Sequence, residues 1–466
     1  MATGLGHSTS DGLWIRVTAI DRDAEAEVLA ENMFNDPPPS GEVFVMVTLE
    51  VINEGGSVNE IVRLDEFDYS FVGSSQVVYT PASNSCGVTP NELEASVFKG
   101  GAASGTVCVS IPADEVDSLA MFYDASFFGS DRSWFSLDQE IFSEAQPTVS
   151  IDLAPRPVPV SSGLGYSTSD GLWIRVTAID RDAEPEVMAE NMFNDPAPAG
   201  EAFVMVTLDV VNEGGSENEY VSVSQYDYSF VGSRQVVYIP ASNSCGVIPN
   251  DLDASYFKGG LATGAVCVSV PEDDVDSLVM FYEQLFGSED RTWFGLQPEV
   301  AADVRPTVSV DLSPDGSTAV GRSRTNPASS GTTIRGDDGI EVTVTGVNPD
   351  AWPMVQSENM FNDPPAEGFR FLMMTLDVAN QGSETSETRV ATGDFRVVGN
   401  DAILRHTFGC GLIPNRLDLS LFPGGSGAGN ICAEVPSSLT GVILIYESGF
   451  FTDNWVYASL GGGADR

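Results

Sequence analysis

This 466-residue sequence predicts an all-β chain of three tandem antiparallel β-sandwiches. Three observations predict it: the text repeats with a period of whole-domain size, apolar residues alternate at every second position, and each repeat carries one pair of equally spaced cysteines. Displaced by 159 residues, 1–137 falls onto 160–296, and a diverged third copy spans 331–463. GEVFVMVTLEVINEGG matches GEAFVMVTLDVVNEGG and, loosely, GFRFLMMTLDVANQGS; CGVTPNEL matches CGVIPNDL and CGLIPNRL. Such a period exceeds the roughly 20–50 residues of solenoid repeats and marks domains strung in tandem.

The expected units are 1–142, 163–303 and 331–466, separated by 143–162 and 304–330. Both separating segments carry an alternating, β-prone heptapeptide, PTVSIDL or PTVSVDL, and end in Pro/Ser/Gly-rich linker text. Each heptapeptide is expected to be a last strand of its own unit or a strand lent to a neighbour.

Within a unit, Leu13, Ile15 and Val17 share one strand face, which the third copy keeps as Ile340, Val342 and Val344. The next strand alternates Val45, Val47, Leu49 and Val51, against Leu372, Met374, Leu376 and Val378. Further strands read from YDYSFVG, GTVCVSIP, SLAMFYD and SWFSL, with Gly, Pro and Asn clusters between them. No long amphipathic helix is read, and NELEASVF is expected to form one short turn. Seven or more short strands in about 130 residues argue for two packed antiparallel sheets.

The heptapeptide ENMFNDP occurs three times, at 31–37, 190–196 and 358–364. It lies between two strands and runs through proline to a glycine at 41, 200 and 368. Asn and Asp bond their own backbone in turns, Pro fixes φ and Gly admits positive φ, so a well-specified crossover loop is expected. Phe34, Phe193 and Phe361 are expected to tuck beneath it as plugs. Asn32, Asp36, Asn191, Asp195, Asn359 and Asp363 are its candidate partner contacts.

The six cysteines fall two to a repeat: Cys86 with Cys108, Cys245 with Cys267, and Cys410 with Cys432. Each pair is 22 residues apart, which predicts three intradomain disulfides and an oxidising compartment. Zinc is disfavoured, since two cysteines per unit and only two histidines in the chain leave each site short of ligands.

Acids outnumber bases 68 to 21, for a formal charge of −47. A field of that sign repels nucleic acid and anionic lipid and favours solvation. No apolar run approaches the ~20 residues of a transmembrane helix. The opening text shows no signal peptide, yet Met1 abuts the first repeat, as expected of a mature or truncated form of a longer precursor.

A Pro–x–Gly loop feeding an alternating strand that ends in Asn, a GG-x(2–3)-G-x-V-C strand ending in Pro, and a later strand ending in FYD or FYE together resemble a known family. The segments are Asn35–Gly41, Val45–Asn53 and Gly100–Pro112, with their counterparts. The chain is similar to the telokin-like extracellular domains of unknown function of bacterial lipoproteins and secreted antigens, related in fold to the mycobacterial immunoprotective extracellular protein. The resemblance implies immunoglobulin-like sandwiches, an extracellular or cell-surface location and no established activity, and it carries over no catalytic residue. The lipoprotein signal and cysteine common in that family are absent from this chain.

No catalytic set is read. His7 has Tyr166 at its place in the second copy, and His406 occurs only in the third. Gly100–Gly101 and Gly259–Gly260 precede strands, as turns do, rather than opening a phosphate-binding helix. The weak calcium candidates are Asp21, Asp23 and Glu25 with Asp180, Asp182 and Glu184, which alternate like oxygen ligands, whereas the third copy reads NPDAW. No other cofactor is expected. Trp14 and Trp173 lie on the strand face opposite the core and are candidates to contact a glycan or protein, or to stack on Trp134 or Trp293. The expected role is non-catalytic: a binding, adhesion or spacer module presenting loops to a protein or glycan partner. The alternatives are a surface-filament subunit that self-associates through the PTVS(I/V)DL strands, and a carboxylate hydrolase.

Overall fold

The computed structural model describes residues 6–56, 60–124, 132–137, 159–215, 219–283, 291–296, 319–383, 387–447 and 455–461. The architecture is all-β, with antiparallel sheets packed as sandwiches. Three four-stranded sheets share one strand order. The first places His7–Ser8, Leu13–Asp21, Glu42–Asn53 and Ala102–Pro112 side by side. Gly165–Ser167, Leu172–Asp180, Glu201–Asn212 and Leu261–Pro271 form the second. Ile334–Arg335, Ile340–Asn348, Phe369–Asn380 and Ser426–Pro436 form the third.

Period-two alternation decides which face is buried. Ile15 stands opposite Val51, and Val47 opposite Val107, so the β-branched residues of adjacent strands meet on one face. Against it packs a second sheet, which in the first repeat runs Arg132–Ser136, Ala120–Asp124, Tyr69–Val72, Val78–Tyr79. Tyr69, Phe71, Met121 and Phe135 of this sheet fill the core with Ile15, Val17, Val47 and Leu49. Each such side chain contributes roughly 1.5–3 kcal/mol by leaving water. Equivalent cores form around Val206 and Phe230 and around Met374 and Phe395. A polar latch recurs across each sandwich: Tyr123 Oη donates to Asp11 at 2.7 Å, Tyr282 to Asp170 at 2.7 Å, and Tyr446 to Asp338 at 2.6 Å.

A third layer covers the opposite face of each four-stranded sheet. It holds a seven-residue helix, α1 (Glu25–Glu31), α2 (Glu184–Glu190) or α3 (Trp352–Glu358). The sequence predicts no helix here. These are two-turn elements, too short to show a clear 3.6-residue stripe, and each buries one apolar side chain: Val28, Val187 or Val355.

The three disulfides form as the spacing predicted. Cys86 bonds Cys108 with a Cα–Cα separation of 6.0 Å, Cys245 bonds Cys267 at 6.0 Å, and Cys410 bonds Cys432 at 5.9 Å. All three sit in the outer layer. Cys86 and Cys108 lie beneath α1 with Phe44 and Met46. Cys245 and Cys267 pack with Val187 and Phe203, and Cys410 and Cys432 with Val355, Phe371 and Met373. In each pair the second cysteine belongs to a strand, Cys108, Cys267 or Cys432, and the first to the loop tied onto it. In a chain-entropy account each tie is worth roughly 3 kcal/mol.

NELEASVF is not a turn. Its residues Glu94–Val97 form a strand paired with Val62–Asp65; Ala95 and Val97 fall opposite Leu64 and Val62, and that pairing outweighs the helix propensity of Glu–Leu–Glu–Ala. The PTVSIDL and PTVSVDL segments lie outside the described residues. The ends of both linkers are described. Val160 forms a parallel bridge to Phe294, and Ala328 one to Ala458, so each linker docks beside the last strand of the repeat that follows it.

One half-buried position distinguishes the repeats electrostatically. Glu66 meets Glu92 in the first, Gln225 meets Asp251 in the second, and in the third Arg416 donates to Thr392 at 3.2 Å. Burial, then the neighbouring Glu92 carboxylate, pushes the Glu66 carboxyl up to about 8. A carboxyl raised in the folded state holds its proton there but loses it in the unfolded chain, so stability falls as pH rises from about 4.5 towards 8. Glu66→Gln should therefore leave the calorimetric midpoint of the first repeat unchanged at pH 4 and raise it by roughly 2–4 °C at pH 8. An equal effect at both pH values would contradict the assignment.

Candidate functional site: the repeated Met–Phe loop

The ENMFNDP peptide begins where the helix ends. In the first repeat Asn32 is the C-cap of α1, in extended conformation, and its Oδ1 accepts from Phe34 N at 2.9 Å while its carbonyl accepts from Asn35 N at 3.0 Å. Asn35 then carries the loop's principal contacts. Its Nδ2 donates to Val28 O in the last turn of α1 at 2.7 Å and to Val88 O at 2.7 Å, and its Oδ1 accepts from Val88 N at 2.9 Å. One amide thus satisfies a helix-end carbonyl and both backbone groups of a residue in the cysteine loop, as an amide with two donors and an acceptor can.

The other repeats reproduce the device. Asn194 bonds Val187 O at 2.7 Å, Val247 O at 2.7 Å and Val247 N at 2.9 Å. Asn362 bonds Val355 O at 2.9 Å, Leu412 O at 2.7 Å and Leu412 N at 3.0 Å. A glycine follows the first cysteine of each pair because the amide lies against it. A Cβ on Gly87 would stand 2.3 Å from Asn35 Oδ1, and the backbone there has φ +88°. Gly246 and Gly411 are alike, at 2.4 Å each. This explains the recurring Cys–Gly pair.

The phenylalanines are not plugs. Phe34, Phe193 and Phe361 are each 83% exposed, and Met33, Met192 and Met360 beside them are equally bare. The space beneath the loop is already filled by Val28, Phe44, Met46 and the disulfide, while the Asx turn at Asn32 turns the next two side chains outward. The apolar tip continues onto the residue that the asparagine holds, since Val88, Val247 and Leu412 are also exposed. Each repeat therefore presents Met, Phe and a branched aliphatic side chain together on a hydrogen-bonded frame. Asp36, Asp195 and Asp363 are exposed at the rim of each tip. Asn32, Asn191 and Asn359 turn the chain, each Oδ1 accepting from the backbone N–H of the phenylalanine two residues on. Asn35, Asn194 and Asn362 and the methionines Met33, Met192 and Met360 were not singled out from sequence, and the phenylalanines only as plugs; the signal available was an apolar dipeptide kept three times inside a polar loop.

The other candidate residues fall elsewhere. Asp21 Oδ1 accepts from Asp23 N at 2.9 Å, Asp180 Oδ1 from Asp182 N at 3.0 Å, and Asn348 Oδ1 from Asp350 N at 3.2 Å. The third copy thus keeps this Asx turn with a neutral amide, which accounts for the alternating acids as turn formers. Glu25 and Glu184 stand in the first turns of α1 and α2, where an acid complements the helix dipole. Among the described residues no group of three or more His, Cys, Asp or Glu is placed to hold a metal ion. Trp14 and Trp173 are half-buried, with the guanidiniums of Arg16 and Arg175 5.7 Å from their rings and Gly6 and Gly165 against the indoles. They do not stack on Trp134 or Trp293. Those belong to the other sheet and lie 4.7 and 4.8 Å from Phe122 and Phe281. His7 sits edge-on to Phe135 and His406 against Phe408, and burial followed by Arg396 lowers the His406 pKa.

Residues 332–456, within the third repeat, match a family described only as a domain of unknown function, DUF4352. No curated protein matches the chain. Among solved structures, a putative lipoprotein of Bacillus subtilis is 16% identical over 28% of this chain and 38% of its own length, with a TM-score of 0.21. The YjhA protein of the same organism is 10% identical over 29% of this chain and 98% of its own, with a TM-score of 0.20. An uncharacterised β-sandwich protein of Clostridium difficile is 14% identical over 29% and 94%, with a TM-score of 0.19. This chain spans 38% of the length of that lipoprotein.

The geometry assigns Asn35 a structural task that substitution exposes. Asn35→Ala should destabilise the first repeat by about 1–2 kcal/mol in denaturant unfolding, because three hydrogen bonds go and water reaches only some of the groups left behind. Asn35→Asp should cost at least as much, since it loses both donors and sets a carboxylate against two carbonyl oxygens. A variant as stable as the parent would contradict the assignment.

Proposed function

We propose that the chain is a non-catalytic, extracellular or cell-surface binding protein whose three Met–Phe tips dock into apolar pockets of a protein partner. One observation carries this reading: a large apolar pair is held in solvent, on a hydrogen-bonded frame, at the same place in three repeats. Exposed aromatic and methionine side chains forfeit burial energy unless a partner covers them. Met and Phe supply apolar anchor area rather than hydrogen bonds, which favours a protein groove over a glycan. The acidic surface around the tips suits a groove with a basic rim. Three tips on one chain gain by avidity where the partner also repeats.

Under this reading 1–142, 163–303 and 331–466 act as three immunoglobulin-like units, with 143–162 and 304–330 between them. Three disulfides and no free cysteine support an oxidising compartment.

Photo-cross-linking from positions 34, 193 and 361, in the cells that make the protein, tests the reading. The expected outcome is one discrete adduct mass from all three positions and none from Leu164, an exposed apolar residue away from the tips. Changing the six Met and Phe residues to Ser should abolish binding of that partner and leave thermal stability within about 0.5 kcal/mol. Absence of an adduct at every tip would overturn the proposal.

A further inference from the structure

The repeats are joined to one another by strand pairing, and the same joint occurs twice. Glu94–Val97 of the first repeat pairs with Val236–Tyr238 of the second, with Val97 opposite Val236 and Ser96 opposite Val237. Asp253–Phe257 of the second pairs with Ile403–His406 of the third, with Tyr256 opposite Ile403 and Ser255 opposite Leu404. Beyond each pair one more backbone bond forms: Phe98 N donates to Gln235 O at 2.9 Å and Phe257 N to Ala402 O at 3.0 Å. Each joint carries a phenylalanine knob. Phe98 is fully buried against Val231, Val237, Phe281 and Trp293 of the second repeat. Phe257 is fully buried against Val398, Ala402, Ile445 and Tyr457 of the third.

The outer repeats each keep one half of this joint. In the third, Asp418–Leu421 pairs only with Thr388–Ala391 among the described strands, and Phe422, the counterpart of Phe98 and Phe257, is 61% exposed. In the first, Val78–Tyr79 ends its sheet, and Val78 is 50% exposed where its counterpart Val237 is 5%. The first repeat's socket already has the occupied shape. Gln76 holds φ 61°, against 60° at Gln235 and at Ala402, and the Phe122–Trp134 ring pair matches Phe281–Trp293 in separation and tilt.

We propose that chains of this protein join head to tail, Asp418–Leu421 and Phe422 of one chain adding to the Val78–Tyr79 edge of the next. The register follows from the internal joints: Leu421 opposite Val77, Ser420 opposite Val78, and Phe422 N donating to Gln76 O. An interface that repeats in one direction does not close on itself after two copies, so the product grows by whole chains. The mode is strand addition to an exposed edge, through segments other than PTVSIDL and PTVSVDL and independent of the Met–Phe tips. The joint between chains differs from the internal ones in charge. The chain's two lysines, Lys99 and Lys258, directly follow the buried knobs, whereas Pro423 follows Phe422. With a formal charge of −47 per chain, association should strengthen as salt screens repulsion.

Sedimentation velocity of the full chain, from micromolar to near-millimolar and at low and molar salt, tests this. The expected result is a series of integer multiples of the chain mass that grows with both concentration and salt. Phe422→Glu and Val78→Glu each remove half of the joint and should lower the association constant at least tenfold with unchanged melting. Mixed one to one, these two variants retain one matching pair of surfaces and should form dimers and nothing larger. A chain monomeric under all conditions, multimers indifferent to Phe422→Glu, or a mixture that stays monomeric would each overturn the proposal. Substituting the six tip residues should leave assembly intact, which separates failure here from failure of the proposed partner binding.

Discussion

A single side-chain amide holds the outer layer of each repeat together. Asn35 and its counterparts are the point at which a two-turn helix, a crossover loop and a cysteine loop meet, three segments too short to order themselves. The disulfide brings the cysteine loop to the sheet, the adjoining glycine leaves room for the amide, and the amide's two donors and one acceptor link the loop to both neighbours. With those groups satisfied, the loop needs no apolar plug. The Met–Phe pair is consequently available to face water, an arrangement that forfeits burial energy in the isolated chain.

The same logic of satisfied and unsatisfied groups extends to the strand edges. Inside the chain, each repeat covers the edge of the next, and a phenylalanine seals the seam. The acidity of the surface fits a molecule with apolar tips and open edges, because net charge of one sign opposes indiscriminate association. Under the proposed head-to-tail joint, apolar contacts decide where chains meet and screening decides when.

Sheets and disulfides were legible in the sequence because their signals are local and periodic. Leu13, Ile15 and Val17 sit on the core side as alternation required, and Cys108, Cys267 and Cys432 each meet the cysteine 22 residues before them. The helices were not legible, since seven residues with one buried side chain give no periodic signal. Nor was the fate of Phe34. An apolar residue in a loop reads equally as plug or as contact, and the choice rests on Val28, Phe44 and the disulfide having already filled the space beneath. Asn35 was overlooked because its partners are backbone atoms seven and 53 residues away, whereas Asn32 makes the short-range bonds that turn residues are known for. The inter-repeat joints were hidden for a related reason: strand pairing between repeats leaves no mark in the sequence of either partner beyond one recurring aromatic, Phe98, Phe257 or Phe422.

Amide hydrogen exchange at Val88, Val247 and Leu412 tests the central claim most directly. These residues lie in exposed loops outside any strand, and their N–H groups would exchange at nearly the free-peptide rate unless the asparagine Oδ1 holds them. The account predicts protection of all three by roughly a hundredfold or more, as for amides that open only when the local structure opens. Exchange of the three at unprotected rates would contradict it.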